Sequence, residues 1–224
     1  MTAPRLPLWL KIAYTTFVAV LVPYYWRTYG PVNFLWFCDV ALLVTLPALW
    51  RENALLFSMQ AVAITLPQLL WVVDFLARLA GIHLLGVAAY MFDPKIPLFV
   101  RGLSSFHGWL PLVLIGAVWR LGYDRRALRA QVVCAVLLLT VCYFFTPPPP
   151  APATNPTAAV NLNWVFGPGE NTMQTWMAPG WYFVLQLVFW PLVIYVPTHL
   201  LLRRLFKSAP ASGSGGVAAL SAAV

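Results

Sequence analysis

The chain has 224 residues, of which 61% are hydrophobic and 9% charged, with eleven tryptophans; that balance excludes a water-soluble domain and describes an integral membrane protein. The formal net charge of +8 does not point to nucleic acid, because the basic residues gather at the ends of apolar runs rather than over a solvated surface. The runs are continuous rather than alternating, which excludes the outer-membrane barrel pattern and leaves an all-α, polytopic fold.

A spanning helix takes about 20 mainly apolar residues. Six runs approach that length, near residues 7–26, 34–50, 54–75, 99–119, 128–146 and 181–202, so six transmembrane helices are expected within a domain of residues 1–206. The first run follows Arg5, as a signal peptide would, but it ends "VPYYWR", bulky where a cleavage site needs small residues, and is expected to be retained. The stretch "IHLLGVAAY" at 82–90 is too short to span. Lying ahead of "FDPKIP", it reads as an interfacial or re-entrant piece. After the fifth run, the proline-rich residues 147–160 cannot be helical and are expected to run extended outside the membrane. The following "NLNWVFGPGENTMQTWM" carries Trp164, Phe166 and Trp176, which a disordered loop would not need; it is expected to fold back on the helix ends. Residues 207–224 read as a flexible small-residue tail without assigned structure.

Charge sets the expected orientation. With the N-terminus cytoplasmic, the inner side collects Arg5, Lys11, Arg51, Arg120, Arg125, Arg126, Arg129, Arg203, Arg204 and Lys207, and the outer side only Arg27, Arg78, Lys95 and Arg101. Ten against four favours both termini inside.

Polar residues within spans are costly unless paired or functional, and that orientation puts a set of them at one outer-leaflet depth. Cys38 and Asp39 lie about one turn into the second run, His107 one to two turns into the fourth, and Gln68 and Asp74 near the outer end of the third, while outer loops add Asn33, Asn161 and Asn163. The inner half, by contrast, reads as nearly featureless. A thiol with a facing imidazole permits nucleophilic acyl transfer. Asp39 is free to orient His107 or to pair with Arg101 or Arg78, and Ser104 and Ser105 are rival nucleophiles. The bland alternatives are that His107 hydrogen-bonds across to Asp39 or Gln68 and merely holds the bundle together, and that Cys38 is a packing residue. Asp74 and Arg78 are spaced for an i,i+4 ion pair. His83 and His199 read as solvated boundary residues. Cys38, Cys134 and Cys142 show no metal-ligand spacing, so neither a metal nor another cofactor is expected.

The motifs "FLWFCDVALL", "SSFHGWLP" and "NLNWVFG", in that order, resemble the bacterial YwaF-type six-helix membrane proteins, which group with androgen-induced-gene type intramembrane hydrolases and a phospholipid acyltransferase group. The resemblance covers roughly residues 33–167. It implies a bacterial inner-membrane protein in which Cys38 is the nucleophile, His107 the general base and Asn163 a positioning residue. Two departures stand out: Trp36 occupies a position where bacterial relatives often carry histidine, and the 81–97 connection is long.

The function expected is therefore a lipid acyl hydrolase or acyltransferase built on Cys38 and His107, with Asp39, Asn163, Gln68, Asn33 and Ser104 binding or orienting the substrate. The alternative is a non-catalytic scaffold whose 161–177 loop docks a membrane-protein partner. A carrier ranks third, because the helix prolines are scattered and no two halves of the chain mirror each other.

Overall fold

A computed structural model describes residues 6–153, 158–169 and 172–210. The expectations resting on Arg5, on part of the proline-rich segment and on the tail beyond 210 lie outside the described residues.

The helices are α1 (Leu8–Tyr29), α2 (Phe37–Arg51), α3 (Ala54–Leu79), α4 (Leu98–Ser104), α5 (Phe106–Leu121), α6 (Ala127–Phe145), α7 (Pro179–Phe189) and α8 (Val196–Leu205). Residues Trp190–Tyr195 join α7 to α8 as one turn and a half of π-helix. No strand occurs among the described residues, only two isolated bridges. Five rods are long and apolar enough to cross a membrane: α1, α3, α4 with α5, α6, and α7 through α8. The protein is a multi-pass membrane protein.

Two of the expected spans differ in detail. The run at 99–119 is broken at Ser105, whose hydroxyl donates to the Gly102 carbonyl at 2.6 Å, so that α4 and α5 meet at a joint two residues before His107. The run at 34–50 yields only the 15 residues of α2, about 22 Å of helix against a hydrocarbon core of about 30 Å. Pro31–Leu35 form a 3-10 turn instead, and Trp36 is extended.

Long-range bonds show that successive rods run antiparallel. At one rim, Lys11 pairs with Glu52 at 2.9 Å, the Ser58 hydroxyl accepts the Asp124 amide, and the Tyr123 hydroxyl meets His199 Nδ1 at 2.6 Å. At the other, Tyr25 meets Ser104 at 2.9 Å and Asn163 meets Phe37. We call these the basic rim and the loop rim. Among the described residues, the basic rim gathers nine Lys or Arg with two acidic residues, and the loop rim four with three. α3 is the most buried of the spans and packs on α2, α5, α6 and α8, which puts its polar side chains at the centre of the bundle.

The start of α2 has no cap from its own chain neighbours. Asn163 supplies one from 126 residues away: its Oδ1 accepts the Phe37 amide at 2.8 Å, while its Nδ2 donates to the Leu35 carbonyl at 2.8 Å and reaches Cys142 Sγ at 3.4 Å. The 161–169 segment thus folds back into the loop rim, with Asn161, Leu162, Asn163 and Val165 buried. Phe166 stacks on Tyr143 and Trp164 on Trp190. Asn161 and Asn163 are left-handed at φ 47° and 53°, a conformation asparagine tolerates better than most residues.

The tail expected to be unstructured from 207 is ordered at its start. The Tyr123 amide donates to the Lys207 carbonyl at 2.7 Å and the Ala209 amide to the Tyr123 carbonyl at 3.0 Å. Gly122 permits this with φ +89°; a Cβ there would stand 2.6 Å from Ala209 Cα. Gly122→Ala is expected to undock this segment and accelerate tryptic cleavage after Lys207, an effect read by mass spectrometry; an unchanged cleavage rate would contradict the packing.

Asn163→Ala leaves two buried backbone groups unpaired, each worth about 1–3 kcal/mol, and is expected to destabilise the detergent-solubilised protein by roughly 2–4 kcal/mol. Asn163→Asp keeps the acceptor for Phe37 but not the donor for Leu35, and a thermal-unfolding series should rank it between wild type and alanine.

Candidate functional site

The antiparallel register brings the third, fourth and second runs to a common depth. Counting from the basic rim, Asp39 on α2, Gln68 on α3 and His107 on α5 are each about 12 to 14 residues from the end of their rods, or about 18–21 Å along the axis. Tyr25 of α1 joins them through its bond to Ser104. Around this layer stand Trp71, stacked on the His107 ring at 5.2 Å between centroids, and Tyr90 from the 80–97 connection, 6.5 Å from Trp71.

His107 Nδ1 lies 2.8 Å from the Ser104 carbonyl. A carbonyl only accepts, so Nδ1 carries the hydrogen, and the neutral ring keeps its lone pair on Nε2. The bond expected from His107 to Asp39 or Gln68 is not made; the joint at Ser105 presents the Ser104 carbonyl first. Cys38 is half-buried in the first turn of α2, and its Sγ lies 3.8 Å from Asp39 Oδ2. It makes no hydrogen bond to His107 among the described contacts, so nucleophile and base share a layer without touching.

Asp39 and Gln68 are the anomalies. Both are at least 97% buried, yet Asp39 Oδ1 and both polar atoms of the Gln68 amide lack a partner, as does Trp71 Nε1. Groups of this kind are normally satisfied, and an amide with both donor and acceptor capacity can grip a hydroxyl or carbonyl-bearing group. Asp39 does not pair with Arg101 or Arg78. Arg101 donates to the Met91 carbonyl at 3.1 Å, and Arg78 contacts His83.

The remaining candidates fall into structural roles. Asn163 spends its amide on Leu35, Phe37 and Cys142, which leaves nothing for an oxyanion. Asn33 sits in the 3-10 turn, its carbonyl accepting the Trp36 amide. Ser104 is buried and bonded to Tyr25, whereas Ser105 bonds back to Gly102; neither hydroxyl is placed as a nucleophile beside His107. Asp74 accepts three backbone amides, from Leu85, Gly86 and Ala88, at 2.7–3.0 Å, in place of the ion pair with Arg78. Among the described residues no cluster has the ligands to hold a metal ion.

Nor is the basic half featureless. Gln60, Gln131 and Tyr195 are buried there, with Gln60 Nε2, Gln131 Oε1 and the Tyr195 hydroxyl unpartnered. His199, expected to be solvated, is buried and bonded to Tyr123. Local pattern carries no signal for it, because its partner Tyr123 lies 76 residues away in the chain.

Two open concavities, of about 610 and 390 Å3, are lined by Trp119, Arg120, Leu205, Phe206 and Lys207 at the basic rim and by Val20, Pro23, Tyr24, Arg27, Thr28 and Phe99 at the loop rim. Neither is lined by Cys38 or His107. No family model, no characterised protein and no solved structure matches the chain.

Proposed function

We propose that the protein is a lipid acyl hydrolase or acyltransferase of a bacterial inner membrane, with the basic rim cytoplasmic and the polar layer in the outer leaflet. The orientation is supported by the nine-to-four division of basic residues between the rims among the described residues. The observation that carries the reading is the tautomer of His107: the Ser104 carbonyl holds the hydrogen on Nδ1 and leaves Nε2 as an available base at the depth of Cys38. The resemblance of "FLWFCDVALL" and "SSFHGWLP" to the YwaF-type proteins supports the same pair.

In this mechanism Cys38 turns from Asp39 toward His107, and Sγ attacks the acyl carbonyl carbon as its proton passes to Nε2. The tetrahedral intermediate collapses to a thioester, and the leaving alkoxide takes the proton from His107. Water or an acceptor hydroxyl then attacks the thioester, giving its proton to Nε2, and the thiolate recovers that proton as the acyl product departs. The unpartnered atoms of Asp39 and Gln68 bind the glycerol or head-group oxygens. Asn163 serves by holding the first turn of α2, and Cys38 with it.

The test is intact mass after incubation with mixed phospholipids, before and after hydroxylamine. Wild type is expected to carry a hydroxylamine-labile acyl adduct that Cys38→Ala lacks, and His107→Ala is expected to cut lipid turnover by about 10²-fold or more. Full turnover in both variants would remove the assignment. It would favour instead a scaffold, for which the exposed Trp176 and Trp181 beside the loop rim offer a surface; that reading requires a partner to co-purify and to be lost on changing the 172–177 segment.

A further inference from the structure

The 80–97 connection is too short to span and is nonetheless ordered. Its backbone is gathered by one buried carboxylate: Asp74 Oδ1 accepts the amides of Leu85 and Gly86, and Oδ2 that of Ala88. Gly81 and Gly86 turn the chain at φ +77° and +80°. A second tie runs from Arg101 to the Met91 carbonyl, and Phe92 packs on Phe75 at 5.2 Å. The inner side of the segment carries Ala88, fully buried, and Tyr90, which lies against Trp71, itself stacked on His107.

The outer side is the reverse of what a water-facing loop shows. Ile82, Leu84 and Leu85 are exposed, as are Leu98 and Phe99 where the chain re-enters α4. Ile82, Leu84 and Leu85 follow directly in the chain from the exposed Leu76 and Leu79 in the last turns of α3, a face that in a spanning helix meets lipid, while Phe99 lies edge-on to Tyr24 of α1 at 5.1 Å. Of the polar side chains of the segment, His83 contacts Arg78, and Asp93 accepts the Lys95 amide.

We infer that residues 80–97 form a lid seated in the membrane interface: Ile82, Leu84, Leu85, Leu98 and Phe99 dock on lipid, and Tyr90 closes the layer holding Cys38 and His107. Lipid is the occupant because Ile82, Leu84 and Leu85 stand exposed within six residues of Leu79, the exposed apolar end of a helix long and apolar enough to cross a membrane. The Asp74 carboxylate is the latch. Access to Cys38 then runs from the bilayer and depends on releasing this one side chain.

Two measurements in proteoliposomes test it, and neither requires turnover, so failure of the acyl chemistry leaves them valid. Footprinting with a lipid-borne diazirine, compared with an aqueous one, is read on the tryptic peptides 79–95 and 96–101 that cleavage at Arg78, Lys95 and Arg101 releases. Labelling from the lipid, lost in the Leu84→Asp/Leu85→Asp double variant, is expected. Labelling from water alone, or peptide-to-peptide adducts that would mark a second copy, overturns the docking surface. For the latch, maleimide modification of Cys38 should accelerate about tenfold or more in Asp74→Asn, with Cys142, buried and held by Asn163, unchanged. If that variant does not insert, Arg101→Leu, which frees only the Met91 carbonyl, serves in its place. A Cys38 rate equal to wild type in an inserted variant overturns the lid.

Discussion

A helix that begins inside a membrane has backbone amides that water cannot reach, and at the start of α2 that constraint falls on Asn163. Its one side chain accepts from Phe37, donates to Leu35 and touches Cys142, joining the 3-10 turn, α2 and α6. The consequences spread from there. The loop must return to the bundle to deliver the amide, so Leu162 and Val165 are buried and Trp164 finds Trp190. Because Phe37 is fixed, the next two residues, Cys38 and Asp39, are held in the first turn of α2. The loop thereby positions the residues on which the proposed chemistry rests.

The polar layer follows the same logic of satisfaction away from water, but it is met unevenly. Tyr25, Ser104 and the His107 Nδ1 hydrogen are paired, and Asp74 is saturated by three amides. Asp39 and Gln68 are not. A layer that was merely structural would spread its hydrogen bonds across all of these groups, whereas here the unsatisfied ones lie on α2 and α3, two helices that pack on each other. In the proposed function, the tautomer of His107 supplies the base and the unpartnered atoms of Asp39 and Gln68 the binding element.

Much of this was readable beforehand, and the reasons for the rest are particular. Apolar runs of 20 residues leave few options, so the rods at 54–79 and 127–145 follow from composition alone, and counting depth from charge placed Asp39, Gln68 and His107 together. Local bonding was not accessible by counting. Ser105 breaks the fourth run because its hydroxyl finds the Gly102 carbonyl, and that joint in turn offers His107 a partner nearer than Asp39. Asp74 takes three amides rather than Arg78 because the glycines at 81 and 86 fold the connection back over it. The N-cap of α2 spans 126 residues, beyond any window of local pattern. His199 was misjudged because a histidine near a helix end, four residues before Arg203, ordinarily meets solvent; the docked 207–209 segment lies beside its partner Tyr123 instead.

The π-helical turn between α7 and α8 sets the facing of everything after it. Widening the helix over Trp190–Tyr195 accommodates one more residue than an α-helix would over the same rise, and each residue is about 100° of rotation. Upstream of the turn, Tyr182, Phe183 and Gln186 face the bundle; downstream, Tyr195, Thr198, His199 and Leu202 do. A strictly α-helical rod could keep only one of these groups in register with its neighbours. The turn therefore acts as a phase corrector, and the chain length between Trp190 and Tyr195 is fixed by geometry even where its side chains are free to vary: losing a single residue there would swing His199 away from Tyr123 and release the far end of the protein from its own α5–α6 turn.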